Sequence, residues 1–426
     1  MASSLSSRDK AVIWHPYTQH KNNIPPIPIT RATGTLLYDE DDRSYIDAIS
    51  SWWVTIHGHA HPYIAEKIYE QAKLLEQVIF TGFTHEPAVL LAERLLKILP
   101  GNLSKIFYSD NGSTAVEVAI KMAIQFWNNQ DGSSRRKKIL AFRNAYHGDT
   151  FGAMSVSDRG VFTLPFHDFL FEVIVIDTPH NGNIQALQSL IISKSDEICC
   201  FIYEPLLQAA GGMKMYDAIM LDELLKTVQA QDILCIADEV MTGFGRTGKL
   251  FAGEYLTTKP DIICLSKGLT GGSMALGVTA SSEKIYEAFL SDERQKTFFH
   301  GHSFTANPIA CAAANASLDL VGKENFLKQI TGIADHHRLF IAQWKGNNPA
   351  HQIKAIRQLG TVVAFEIESG SDGYLNNISM QITQRALKNG IYLRPLGNTV
   401  YLMPPYCITK AELDQLSDFL LTQLFS

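Results

Sequence analysis

The 426-residue sequence predicts an α/β protein, with a mostly parallel central sheet flanked by helices and a smaller α+β domain. Three observations predict it. Between about Lys105 and Ser281, short apolar runs alternate with amphipathic segments. The runs are rich in Ile, Val, Phe and Cys with little polar alternation, the pattern of strands buried on both faces of a parallel sheet. After Pro308 the pattern changes to two long helical stretches followed by short, separated strands.

Taken in order, the chain opens on MASSLSSRDK, which has no apolar core of a secretory signal, and none is expected. The Pro-rich Ile24–Ile29 leads into Thr35–Asp47, which reads as a hairpin: Leu36, Leu37 and Tyr38, an acidic turn at Asp39–Asp42, then Tyr45 and Ile46. Strands are expected over Ile106–Tyr108, Ile139–Phe142, Val173–Ile176, Cys199–Tyr203, Leu234–Ala237, Ile262–Leu265 and Leu276–Ala280. Helices between them are expected over Ser113–Asn128, Ile184–Ile192 and Met220–Gln229. Beyond Pro308 come helices at Ala310–Leu320 and Phe326–Trp344 and strands near Ile353–Ile356, Val362–Ile367, Ile391–Leu393 and Val400–Met403. Ala411–Leu424 is the final helix. This organisation divides the chain into a large domain over residues 50–315 and a small domain built from residues 1–49 and 316–426.

Composition narrows the function classes. Hydrophobic residues make up 46% and charged residues 19%, with a net charge of -6, the profile of an ordinary globular protein. The tight basic run Arg135–Lys138 reads as a solvated connection before a strand, and no nucleic-acid partner is expected. No apolar run is long enough to span a bilayer, so no membrane partner is expected either. The six cysteines form no C-x-x-C pair and read as small core hydrophobes in a reducing compartment, not as disulfides or metal ligands. A cytoplasmic enzyme without a metal is the expectation.

Four segments carry chemistry. The apolar run Ile233–Ala237 ends in Asp238 and Glu239, and a carboxylate at the carboxyl end of a parallel strand faces the crevice where open α/β sheets bind ligands. Alone, such an acid more often caps the next turn. The glycine-rich Gly243–Gly248 that follows does not open an N-terminal βαβ unit, so a dinucleotide fingerprint is rejected. The next strand ends in Ser266–Lys267–Gly268. A single lysine usually reaches solvent, because its ammonium is costly to desolvate. Held in the crevice, it becomes an amine nucleophile whose charge is removed by imine formation. The pairing with Asp238 one strand earlier decides between them: pyridoxal phosphate (PLP) needs both a lysine and an acid against its ring nitrogen. Ser109–Thr114, between a strand and a helix, offers small residues and hydroxyls suited to a phosphate, although an ordinary N-cap has the same sequence. Tyr146–Asp149 places an aromatic where it can cover a flat ring.

In combination, NGSTAVEVAIK, AYHGDTFGAMS, IADEVMTGFGRTGKLFA and LSKGLTGG resemble the class III aminotransferases, of PLP fold type I, and the resemblance runs from Trp14 to Tyr406. It implies that Lys267 joins the cofactor, Asp238 meets its ring nitrogen, Gly112 and Ser113 hold its phosphate, and Tyr146 neighbours the ring. It also implies a homodimer with active sites at the interface. There the segment His300–Phe304 crosses to the partner's phosphate, with His302 and Ser303 as cofactor neighbours and Gly301 beside the substrate. The family usually shows Gly-Pro-Thr where this chain has Gly301-His302-Ser303; the serine keeps a hydroxyl, and the histidine ring bears on loop rigidity.

Within the family, Trp14–Thr18, Ser51–Trp53 and Arg394–Tyr406 resemble the branch that moves the amine of S-adenosylmethionine to 8-amino-7-oxononanoate in biotin biosynthesis. That likeness implies substrate-lining roles for Tyr17, Trp52 and Trp53. It makes Arg394 the holder of the substrate carboxylate, a task its planar fork suits. Both substrates would use one site in turn, giving ping-pong kinetics. Glutamate-using relatives carry a second Glu shortly after the position of Gln208; Ala210 stands there in this chain. The amino donor is left open between S-adenosylmethionine and lysine. Other ω-amine or diamine transaminases, and an aminomutase of the same fold, are the alternatives.

Overall fold

A computed structural model describes residues 4–21, 24–131, 135–347, 353–368 and 378–424. Its centre is a seven-stranded sheet. In chain order the strands are β1 (Leu103–Ser109), β2 (Lys138–Phe142), β3 (Val173–Ile176), β4 (Ile198–Tyr203), β5 (Leu234–Asp238), β6 (Ile262–Leu265) and β7 (Gly277–Ser282). Their order across the sheet is β1-β7-β6-β5-β4-β2-β3. Neighbours from β6 to β3 run parallel, and β7 is antiparallel to both β6 and β1. All seven apolar runs are therefore strands, each within a few residues of its expected bounds.

The absence of polar alternation has a direct cause. β4, β5 and β6 are buried throughout. Alternate residues feed two separate cores: Leu234 and Ile236 pack on one face with Ala115, Val116 and Ala119 of helix α1 (Gly112–Asp131). Cys235 and Ala237 pack on the other with Leu221, Leu224 and Val228 of the helix Ala218–Ala230. Each buried Leu- or Ile-sized side chain contributes roughly 1.5–3 kcal/mol, so both faces favour apolar residues and neither leaves a polar stripe. By the same period of two, Asp238 continues the parity of Ile236 and lies on the α1 face.

The chain's two ends meet in a second sheet. Leu36–Asp39 and Ser44–Asp47 form the expected hairpin, Ile29–Thr33 adds an outer strand, and Ile391–Tyr392 pairs in parallel, with Ile391 opposite Ile46 and Tyr392 opposite Asp47. A three-stranded antiparallel sheet joins Ile353–Leu359, Val362–Ile367 and Thr399–Leu402. Two helices, Pro62–Leu74 and Glu86–Ile98, had no counterpart in the sequence reading; both start with proline in the first turn, where its missing N–H costs nothing. The expected final helix Ala411–Leu424 is regular only over Lys410–Asp418 and widens to a π-turn over Phe419–Gln423. Arg136 of the basic run is tied in, donating to the Ile198 and Gln231 carbonyls and lying 4.4 Å from the Trp127 ring centroid. Among the described residues no helix is long and apolar enough to cross a membrane, and no cluster suits a metal ion.

Five of the six cysteines are buried and the sixth, Cys407, is half-buried; burial pushes the Cys407 thiol up to about 11. Native protein should therefore react with at most one equivalent of a thiol reagent on the minute scale, and six after denaturation without reductant. A fast native titration of two or more would contradict this packing.

Candidate functional site

The carboxyl ends of the parallel strands open into a cavity of about 740 Å³, within the range of small-molecule sites. Asp238 is paired with Cys264 across β5 and β6, so Lys267, three residues past Cys264, comes to the same rim as the carboxylate. Both line the cavity. Lys267 has a left-handed φ of 45°, and Ser317 Oγ donates to the Gly268 carbonyl behind it at 3.3 Å. Burial pushes the Lys267 amine below its usual range, while the Asp238 and Glu204 carboxylates oppose that shift.

Asp238 is buried and fully engaged. Its Oδ2 accepts from His147 Nδ1 at 2.7 Å and its Oδ1 from the Val240 N–H at 3.1 Å. Both His147 and Asp238 line the cavity wall. Glu204, at the end of β4, is the next acid along the same rim and accepts from the Tyr146 and Ala209 N–H groups at 3.1 and 2.9 Å. Burial pushes the Glu204 carboxyl up to about 7; His147 opposes the shift and Asp238 adds to it. His147 and Glu204 were not singled out from the sequence. For Glu204 a signal existed, since β4 and β5 are neighbouring apolar runs that each end in an acid. For His147 the only signal was its place beside Tyr146, because its partner lies 91 residues away.

A flat phosphorylated ring fits these residues. Helix α1 begins at Gly112 on the cavity wall, and the first amides of a helix have no intrahelical acceptor and favour an anion. The approach there is tight: a Cβ on Gly112 would stand 2.7 Å from Val240 Cγ1, and one on Gly148 would stand 2.1 Å from Ser113 Oγ. Val240 and Tyr146 supply apolar wall, and Asp238 an anion held in place. A phosphate at one end, a ring between and an amine within reach match the lining.

Part of the cavity wall is aromatic. Tyr17 and Tyr146 share a hydroxyl–hydroxyl bond of 3.1 Å, and Tyr17 also donates to Asp149. Tyr17 stands edge-on to Trp52 at 5.3 Å and to Phe162 at 5.9 Å. Lys267 Nζ lies 5.0 Å from the Trp53 ring centroid, and Trp53 Nε1 donates to the Tyr401 hydroxyl at 2.9 Å. Trp52 and Trp53 sit on a feature that sequence reading did not foresee: Ser50, Ser51, Trp52 and Trp53 all have φ between 44° and 76°. Four successive L-residues in the left-handed region cost roughly 1–2 kcal/mol each, so other contacts must hold the turn. Arg394 is not part of the cavity wall; its guanidinium carbon lies 5.0 Å from the Trp52 ring centroid, behind Leu396 in sequence order. Gly301, His302 and Ser303 do not line this cavity within one chain either. His302 Nδ1 accepts from the Phe304 N–H at 3.2 Å and the His302 N–H donates to Thr305 Oγ1 at 3.1 Å, which stiffens that loop.

The family described as "Aminotransferase class-III" matches residues 17–424. The adenosylmethionine-8-amino-7-oxononanoate aminotransferase of Synechococcus elongatus is 46% identical over 95% of this chain and 96% of its own length. That of Helicobacter pylori is 39% identical over 96% and 95%. Among solved structures, the adenosylmethionine-8-amino-7-oxononanoate aminotransferase of Methanocaldococcus jannaschii superposes with a TM-score of 0.93 at 35% identity, covering 99% of this chain and 98% of that one. The omega transaminase of Pseudomonas jessenii in complex with PMP superposes with a TM-score of 0.89 at 26% identity, covering 98% and 96%.

The raised Glu204 carboxyl has a consequence for stability. The folded protein keeps this proton up to about pH 7, whereas an unfolded chain releases it near 4.5. The group's contribution is largest at and below the unfolded value and is lost as pH rises from there towards 7. Glu204→Gln should remove that part of the pH dependence, shrinking the fall in Tm between pH 5 and pH 8. Glu239, raised to about 7 by its own burial, still contributes the rest. Thermal scans at four pH values check it, and an unchanged slope contradicts the assignment.

Proposed function

Because the chain belongs to the class III aminotransferases, a PLP-dependent family, we propose that it transfers the amino group of S-adenosylmethionine to 8-amino-7-oxononanoate. The product is 7,8-diaminononanoate, a step of biotin biosynthesis. The observation that carries the reading is that one cavity is lined by Lys267 and Asp238 together with Tyr17, Trp52 and Trp53. It is supported by full-length likeness to proteins named for that reaction.

When bound, PLP supplies an electron sink and a carbonyl that carries the amino group from one substrate to the other. The protein does the rest. Gly112 and Ser113 at the start of helix α1 hold the phosphate. Asp238, locked by His147, keeps a negative charge against the ring nitrogen and so holds a proton there. Tyr146 and Val240 enclose the ring. With PLP bound, Lys267 would be the base that takes a proton from the substrate's α-carbon and delivers it to the cofactor's carbonyl carbon. Its lowered pKa leaves more of the amine neutral near physiological pH, as a base requires. Tyr17, Trp52 and Trp53 offer faces to an adenine, a sulfonium and an aliphatic chain in turn. Arg394 meets the terminal carboxylate.

The protein works as a homodimer in this reading. Ile79, Phe83, Phe299 and Phe304 are 63, 63, 71 and 64% exposed, an unusual concentration of large apolar side chains. They lie on two segments that are tied together: Gln77 donates to the Ser303 carbonyl and Asn307 Nδ2 to the Glu76 carbonyl at 2.9 Å. A second copy covering them would carry Gly301, His302 and Ser303 to the partner's cavity, which explains why they miss their own. Sedimentation at micromolar concentration should give one species of twice the chain mass, and a monomer carrying full activity would refute the assembly.

The deciding assay is the first half-reaction. PLP-loaded protein mixed with S-adenosylmethionine alone should pass to the cofactor's amine form, read by absorbance. Subsequent 8-amino-7-oxononanoate should restore the original spectrum. Conversion by lysine and not by S-adenosylmethionine would change the donor. Conversion by simple amines alone would make it a general ω-amine transaminase, and turnover of one substrate without a partner would indicate an aminomutase. Lys267→Ala should abolish turnover, and Asp238→Asn should slow it by about 10²–10⁴-fold with the fold intact.

A further inference from the structure

The left-handed turn Ser50–Trp53 raises a question that the catalytic groups do not answer: what holds it. We propose that Asp47 is a positioning residue, whose buried carboxylate sets the direction of Trp52 and Trp53 and whose strand pairing with Tyr392 sets the register of the Arg394 segment. The inference rests on the reading that these three residues shape the substrate end of the cavity.

Asp47 is 0% exposed, and its carboxylate is taken up by the turn and its flank. Oδ1 accepts from the Ile49 N–H at 3.2 Å, and Oδ2 accepts from Ser51 Oγ at 2.7 Å and from His59 Nε2 at 2.9 Å. An ionised carboxylate only accepts, so the Ile49 N–H and the Ser51 O–H must both point back at it. That fixes the entry to the turn from two sides. The turn's own bonds then close, Trp53 N–H to the Ile49 carbonyl and Val54 N–H to the Ser50 carbonyl, both at 2.9 Å. Further clamps act on the far side: Ser50 Oγ donates to the Met403 carbonyl at 2.7 Å, and Arg246 Nη2 to the Trp53 carbonyl at 3.1 Å.

The backbone of Asp47 sets a second group. It pairs in parallel with Tyr392, and the next residue, Ala48, donates to the Tyr392 carbonyl at 3.2 Å. Arg394 follows two residues later and stacks over Trp52. One residue thus stands where the indole turn and the arginine segment are joined. Without the acceptor, Ser51 and Trp52 lose a reason to stay left-handed and the indole turns away from Arg394.

Ser51→Ala tests this gently, because it removes one hydroxyl contact and leaves the buried carboxylate in place; Asp47→Asn removes the acceptor-only character. Trp52→Ala is the reference. All three are compared as PLP-loaded, full-length protein. Ser51→Ala should raise KM for 8-amino-7-oxononanoate about fivefold and Asp47→Asn about tenfold or more, with kcat much less affected. Both should change the indole bands of the near-ultraviolet circular dichroism and leave cofactor affinity unaltered. If Asp47→Asn does not fold, Ser51→Ala decides alone. A raised KM in Trp52→Ala with unchanged KM and indole bands in Ser51→Ala overturns the positioning role only. An unchanged KM in Trp52→Ala overturns the pocket reading and this inference with it.

Discussion

The parallel register of β5 on β6 is the constraint on which the site depends. It sets Asp238 beside Cys264, and Lys267 follows three residues later across the same rim. The pairing cannot slip by one residue without turning every core side chain of β5 to the wrong face, since Leu234 and Ile236 serve one core and Cys235 and Ala237 the other. Core packing and catalytic geometry are therefore one specification. The carboxylate inherits its direction from the apolar residues before it.

A rim built this way concentrates charge in a dry place. Asp238, Glu204, His147 and Lys267 all line the cavity, and Glu239 is buried directly behind. Desolvation favours the neutral forms of Glu204, Glu239 and Lys267. The protein resolves this by giving each acid a different environment. Asp238 is bonded to His147 Nδ1 and accepts a backbone N–H. Burial pushes Glu204 and Glu239 up to about 7, and their backbone N–H and hydroxyl donors offset part of that rise. The Lys267 amine sits among them with a lowered pKa, because burial outweighs the attraction of its acidic neighbours.

How much of this was legible in the sequence follows from what fixes each part. Strands buried on both faces write their position as unbroken apolar runs, so β1 to β7 could be read within a few residues. Asp238 and Lys267 could be read because they end such runs. His147 could not, since its meaning lies in a contact with a strand 91 residues on. The helices Pro62–Leu74 and Glu86–Ile98 escaped notice because most of their residues are at least partly exposed, which dilutes the apolar signal. Trp52 and Trp53 were marked by resemblance, but their left-handed backbone was invisible: Ser-Ser-Trp-Trp contains no glycine to announce it. Arg394, expected to hold the substrate carboxylate, does not line the cavity of a single chain, and its guanidinium carbon lies 5.0 Å from the Trp52 ring centroid.

The two ends of the cavity thus obey different kinds of physics. At the chemical end, geometry follows from sheet register, and any change there costs core packing on both faces. At the aromatic end, it follows from a strained turn held by a few hydrogen bonds, from Asp47, Met403 and Arg246. Met403 and Arg246 belong to segments far from the turn in the chain: the Met403 N–H donates to the Ala48 carbonyl at 2.8 Å, and Arg246 Nη1 to the Pro404 carbonyl at 3.0 Å. The hydrogen bonds that hold this turn are separate from the ladder of the seven-stranded sheet. Such an arrangement lets the shape of the substrate pocket change without disturbing the amine and the carboxylate.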